Sequence, residues 1–145
     1  MRNLYRVTTQ SNPTGPMVAF LGKQDRFQQT PIEGVSEIRV PHPEFPALQA
    51  LTMGAMNISG AVQLSYSTVM RIAPQATAMI DHGEPGRRAY AIVLQAAPGT
   101  LLTAGDEAVQ VHTGEEWAID ATQSATLINK SEDEAFMLLI VTDSA

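Results

Sequence analysis

From Gln63 onward, short apolar or alternating runs recur between strong turn formers, each with the length of a β-strand. The runs are Gln63–Ile72, Thr77–Ile80, Ala89–Gln95, Thr100–Thr103, Ala108–Val111, Glu115–Ile119, Ala125–Ile128 and Ala135–Val141. Between them stand Ala73-Pro74, Gly83–Gly86, Ala97-Pro98-Gly99, Gly105-Asp106, Thr113-Gly114 and Asn129–Asp133. These residue types favour turns because glycine tolerates positive φ, proline fixes φ, and Asn and Asp bond their own backbone. Eight strands so punctuated predict an antiparallel jelly roll or barrel. A parallel sheet would need crossover helices, and the segment has none.

Residues 1–62 read differently. Turn formers crowd there: Asn12-Pro13, Gly15-Pro16, Pro31, Gly34, Pro41-His42-Pro43 and Pro46. Short extended pieces fit between them, at Met17–Leu21 and Val35–Val40. Pro46 can occupy the first position of a helix, where its missing N–H is no loss, and Leu48, Leu51, Ala55 and Met56 follow at helical spacing. Gly60 lies beyond that helix. The expected organisation is one mainly β domain over 1–145, with an N-terminal extension (1–62) and a barrel core (63–145). At 145 residues such a chain buries a core without disulfides or metals.

Composition narrows the partners. Hydrophobic residues make up 44% of the chain, a globular value. The longest apolar run, Ala135–Val141, is far short of the roughly 20 residues that span a bilayer. MRNLYRVTTQSNPTG carries charge but no apolar stretch, so an intracellular protein without a signal peptide is expected. The lack of cysteine excludes disulfides, thiolate metal sites and cysteine nucleophiles. A net charge of −6 and 6% aromatic residues argue against nucleic acid, which is bound through cations and base-stacking rings. A protein or small-molecule partner is expected instead.

Few side chains suggest chemistry. In Asp81-His82-Gly83-Glu84, a histidine and a carboxylate two residues apart would share one face of a strand and could be an altered metal site. The surrounding Gly83, Pro85 and Gly86 favour an exposed turn, and no second histidine is placed to help. His112 falls on the face opposite Val109 and Val111, as a surface residue, and His42 falls in a proline loop. Trp117, in alternation with Glu115 and Ile119, reads as a barrel-wall residue. Glu115 and Glu116 read as a strand start, and Glu132-Asp133-Glu134 as a solvated turn. Neither a Gly-x-Ser-x-Gly elbow nor a phosphate-cradling glycine loop occurs.

The segments Tyr66–Gly86, Tyr90–Asp120 and Ser124–Asp143 are similar to the aspartyl/asparaginyl β-hydroxylases, most specifically at Gly114-Glu115-Glu116-Trp117, Asn129 and the acidic turn after it. Asp25–Val40 also resembles that family's N-terminal strand region. Those proteins are iron- and 2-oxoglutarate-dependent dioxygenases on a double-stranded β-helix of cupin type, so the resemblance implies that fold. Residue by residue, His82 matches the first iron-ligand histidine, and Glu84 stands at the acid of the His-x-Asp motif. The Arg-x-His strand falls on Ala89 and Ala91, and the second iron-ligand histidine on Ala125, four residues before Asn129. The closing-strand arginine falls on Ala135 and its histidine neighbour on Met137. Alanine supplies neither an iron ligand nor a cation for the co-substrate's carboxylates. A one-residue shift would instead let Arg88-Ala89-Tyr90 mimic Arg-x-His, at the expense of a bulge, because a slip reverses every side chain of a strand.

The alanine-filled site, with Ala and Met abundant for packing surfaces, leads us to expect a non-catalytic structural or interaction protein that self-associates as a homo-oligomer or in a larger assembly. Bacteriophages also encode such hydroxylase relatives, so a capsid-decorating virion component is one form this could take. The alternative is an Fe(II)/2-oxoglutarate dioxygenase acting on a peptide or small molecule, with His82 and Glu84 on iron and Arg88 on 2-oxoglutarate. A further alternative is a barrel whose emptied cavity takes an apolar small molecule.

Overall fold

The computed structural model describes residues 4–6, 26–40, 43–59, 63–80, 87–119 and 125–143. The expected extended piece Met17–Leu21 lies outside the described residues, as do His42, His82 and Glu84. In chain order the elements are β1 (Leu4–Arg6), β2 (Gln28–Gln29), β3 (Val35–Val40), α1 (Pro46–Ser59), β4 (Gln63–Ile72), β5 (Thr77–Ile80) and β6 (Arg87–Gln95). Then come β7 (Thr100–Ala104), β8 (Glu107–Gln110), β9 (Glu116–Ile119), β10 (Ala125–Asn129) and β11 (Ala135–Asp143). The mainly β expectation with one helix before the barrel therefore holds.

The strands form two antiparallel sheets, a seven-stranded one ordered β1-β9-β6-β11-β4-β3-β2 and a four-stranded one ordered β5-β10-β7-β8. The eight strands expected after Gln63 are all present, as β4 to β11. The N-terminal extension adds three more to the larger sheet: β1 beside β9, and the β2–β3 hairpin beside β4. Strands β1 to β3 thus complete the larger sheet at both edges.

Strand β11 shows why the larger sheet sits where it does. Its uninterrupted apolar run is buried on both faces, as such runs require. Ala135, Met137, Leu139 and Val141 face the smaller sheet and join Met70, Ile72, Ala78, Ile80, Leu102 and Leu127 in an inter-sheet core. Phe136, Leu138 and Ile140 face the other way, into a second core with Val69, Tyr90, Ile92, Leu94 and, from α1 and its approach, Phe45, Leu48 and Met56. Helix α1 is tied to β4 through Thr52 Oγ1, which donates to the Leu48 carbonyl and lies 3.1 Å from Ser67 Oγ.

Gly34 and Gln75 are two of five described residues with positive φ. Gly34, at φ +80°, stands third in the turn closed by the Val35 N–H on the Ile32 carbonyl, a position that favours glycine. A Cβ there would also come within 2.7 Å of the Ala76 Cβ. Gln75, at φ 67°, follows Pro74 in the turn closed by the Ala76 N–H on the Ala73 carbonyl. A non-glycine residue in this region is strained and persists because its surroundings hold it.

The packing predicts unequal costs for truncation. Leu138→Ala, at a fully buried site of the helix-side core, should lose about 2–5 kcal/mol in chemical denaturation. Met53→Ala, 49% exposed on α1, should change stability by less than about 0.5 kcal/mol.

Candidate functional site

The four alanines that stand in the resembled hydroxylase slots all belong to the inter-sheet core and are 0–1% exposed. Ala89 on β6 pairs with Ile119 and Val141, and Ala125 on β10 pairs with Ile80 and Ala104. They occupy the end of the barrel where β5 finishes at Ile80, and Ala91 lies one step further in. Ala135 is at the opposite end, paired with Ile72. The larger side chains of Met70, Ile80, Leu102, Leu127, Met137 and Leu139 share the space around them. A charged residue does share this face at its margin: Glu107, half-buried on the edge strand β8, pairs with Ala104.

Iron with 2-oxoglutarate needs imidazole or carboxylate ligands and a buried cation. Buried methyl groups in an apolar core supply none of these, so the described residues do not fit the pair. His82 and Glu84, proposed as metal ligands, lie outside the described residues. Among the described residues no three His, Asp or Glu side chains come together as a metal site. Arg88 is exposed. Strand β6 keeps unbroken register with β11 from Arg87 through Val93, and Ala89, Ala91 and Val93 enter the inter-sheet core while Tyr90, Ile92 and Leu94 enter the helix-side core. Alternation gives Arg88 the side of Tyr90, so the chain does not adopt the shifted register that would carry Arg88 inward.

Asn129 has a structural task. Its side-chain amide donates to the carbonyls of Ile72 (3.1 Å), Ala73 (3.3 Å) and Asp133 (2.7 Å), and its Oδ1 accepts from the Ser131 N–H and hydroxyl. Its backbone N–H donates to the Ala76 carbonyl and its carbonyl accepts from the Gln75 N–H. The Gln75 side chain then donates to the Lys130 and Ser131 carbonyls. The two turns that cross between the sheets, β4 to β5 and β10 to β11, are thereby interlocked, which holds Gln75 in its left-handed conformation and closes this end of the barrel.

Glu115 and Glu116, read from the sequence as one strand start, have opposite environments. Glu115 accepts from the Arg6 guanidinium (2.9 Å), the His112 N–H (2.8 Å) and the Trp117 indole N–H (3.3 Å). Burial works to raise its pKa, but the His112 N–H, the Trp117 N–H, Arg6 and His112 together hold it below the ordinary carboxylate value. His112 itself is exposed, as expected, and Trp117 packs against the inter-sheet core, as a wall residue should. Glu116 is 1% exposed, pairs with Ile92, and leaves its Oε2 without a hydrogen bond. Burial raises its pKa. Alternation puts the two carboxylates on opposite faces, but no sequence signal tells that the face of Glu116 is covered.

No family model and no curated protein matches the sequence. Solved structures do share the fold. HygX from Streptomyces hygroscopicus, with nickel and 2-oxoglutarate bound, superposes with a TM-score of 0.72 at 8% identity, covering 98% of this chain and 82% of that one. The cupin domain of an XRE-family transcriptional regulator from Enterobacter cloacae gives 0.55 at 10% identity, over 78% of this chain and 100% of that one. The cupin domain of Schizosaccharomyces pombe Cnp3 gives 0.57 at 8% identity, over 86% and 72%. The fold is a cupin double-stranded β-helix. At such identities the likeness concerns the fold alone, and cupin barrels of this kind include both ligand-bound proteins and regulator domains. Among the described residues no helix is long and apolar enough to cross a membrane.

Two measurements follow from these contacts. Asn129→Asp replaces the donor amide by an acceptor facing three carbonyls and should destabilise the protein by about 3 kcal/mol in chemical denaturation. Because the folded-state pKa of Glu116 is raised, the folded protein holds its proton more tightly than the unfolded chain does. Its contribution is therefore complete below the ordinary carboxylate pKa and is lost as pH rises through the folded value. Glu116→Gln should flatten that decline in a series of thermal melts, gaining stability relative to the parent as pH rises to neutrality.

Proposed function

We propose that this cupin barrel is a non-catalytic structural or interaction protein that acts by self-association. The observation that carries the reading is the inter-sheet core, where Ala89, Ala91, Ala125 and Ala135 are buried among Met, Leu and Ile side chains. A barrel interior spent on packing leaves the outer surfaces for function. It also counts against an apolar ligand taking that space.

A surface suited to self-association is present on the outer face of the smaller sheet. Its two rows, Met79–Thr126–Thr103–Ala108 and Thr77–Ile128–Leu101–Gln110, contain no charged residue. Met79 is 46% exposed there, and Ala108 and Gln110 are exposed too. Copies of a chain with net charge −6 repel one another generally, and contact through an uncharged face avoids setting carboxylates together. Thr103 and Thr126, whose hydroxyls lie 2.5 Å apart, satisfy each other and lower the desolvation cost at the centre of the face. A capsid-decorating role in a virion is the specific form of this reading, resting on the hydroxylase-like motifs that phage proteins also carry.

The rival is an Fe(II)/2-oxoglutarate dioxygenase with His82 and Glu84 as ligands, favoured by the 0.72 TM-score to HygX in its nickel- and 2-oxoglutarate-bound state. It must find its co-substrate's cation somewhere other than Ala89, Ala91 or Ala135.

Light scattering coupled to size exclusion tests the proposal. The parent protein should elute as a defined oligomer, and Thr126→Lys, which places a charge at the centre of the uncharged face, should yield folded monomer. A monomeric parent at micromolar concentration would overturn self-association.

A further inference from the structure

A second place in the fold carries unspent polar chemistry. On the helix-side face of the larger sheet, beyond α1, Gln29, Ser36 and Arg71 form one row across β2, β3 and β4. With Phe27, Gly34, Ala73 and Glu134 they line a concavity of about 300 Å³. That is the size of a small metabolite site.

The donors and acceptors in it are set in orientation and only partly used. Arg71 pairs through Nε with Glu134 Oε2. Its guanidinium lies over the Phe27 ring, 5.7 Å from the centroid, and Phe27 in turn packs on Phe136 at 5.9 Å. Carboxylate and ring thus fix the plane of the guanidinium, while its two terminal nitrogens make no hydrogen bond among the described residues. Glu134 keeps its second oxygen for another donor. Both side chains are about a third exposed, at 35% and 39%, so a ligand reaches them without displacing the core.

The floor is rigid. The Ala73 N–H donates to the Gly34 carbonyl at 2.8 Å, joining the turn before β3 to the turn after β4. The second of these turns is the one locked by Asn129 and Gln75. Sites held within a fraction of an ångström by such supports bind with little ordering cost.

Charge selects the ligand class. A simple anion would meet Arg71 but also Glu134, with Glu132 and Asp133 in the adjoining turn. A simple cation would meet the reverse. A molecule with a carboxylate and an ammonium group one carbon apart satisfies both, its carboxylate on the free guanidinium fork and its ammonium on the free Glu134 oxygen. We propose that this concavity is a binding site for a free α-amino acid. The inference is independent of self-association, since the two surfaces lie on different sheets.

Amide chemical-shift titration tests it, with glycine, L-leucine, acetate and methylammonium as separate probes. The amino acids should move the Gly34, Ser36 and Ala73 amides saturably, and the two half-ligands should bind about tenfold more weakly or worse. Arg71→Gln and Glu134→Gln should each weaken amino-acid binding by about tenfold with the fold's spectrum retained. The proposal is overturned by any of three results: no saturable shift with either amino acid, acetate binding as tightly as glycine, or unchanged binding in both variants. The comparison of whole and half ligands uses the parent protein alone, so it decides the matter even if a variant fails to fold.

Discussion

Strand β11 belongs to two cores at once, and the rest of the molecule is arranged around that constraint. Its odd-numbered residues from Ala135 to Val141 fill the space between the sheets, and its even-numbered residues from Phe136 to Ile140 meet α1. A strand apolar on both faces must be covered on both. One cover is the four-stranded sheet and the other is the helix, which is why a chain of this length needs its N-terminal extension. Burial of residues such as Leu138 and Leu139 contributes about 1.5–3 kcal/mol each, before packing terms.

The same constraint bears on function. The inter-sheet space that holds Met137, Leu139, Leu127 and Leu102 also holds the small side chains of Ala89, Ala91, Ala125 and Ala135. Replacing any of these alanines by arginine or histidine would bury a polar group against hydrocarbon unless a ligand or partner satisfied it. Three polar clusters lie at the rims and faces. The Asn129 interlock closes one end, the Glu115 cluster with Arg6, His112 and Trp117 braces a sheet edge, and the Arg71–Glu134 pair sits outside the barrel.

Much of this was legible in the sequence, and the limits have physical causes. β3, β4 and β5 have the bounds read from the sequence, with Gly34 before β3 and Ala73-Pro74 between β4 and β5 acting locally. α1 follows from Pro46 and the spacing of Leu48, Leu51 and Met56 in the same way. Strands β1 and β2, three and two residues long, leave no periodicity to read, since they exist only through pairing with β9 and β3. The inward register of Ala89 and Ala91 against that of Arg88 stood open in the sequence, because alternation is symmetric until a partner strand fixes it. Pairing with β11 fixes it. The burial of Glu116 and the Arg71–Glu134–Phe27 arrangement were not legible, because they join residues distant in the chain, Arg71 and Glu134 being 63 positions apart, in patterns that only the sheet order creates. Glu134, read as part of a solvated turn, is half-buried and paired, whereas its neighbours Glu132 and Asp133 are exposed as expected.

We propose that the barrel interior works as an apolar core and not as a chamber for metal and co-substrate. Anaerobic titration of the purified, metal-stripped protein with Fe(II) in the presence of 2-oxoglutarate, followed by calorimetry and then by succinate release on admitting oxygen, tests it most directly. A packed, non-catalytic interior predicts no saturable uptake and no succinate above a protein-free control. Stoichiometric uptake with succinate formation that is lost in His82→Ala would contradict it.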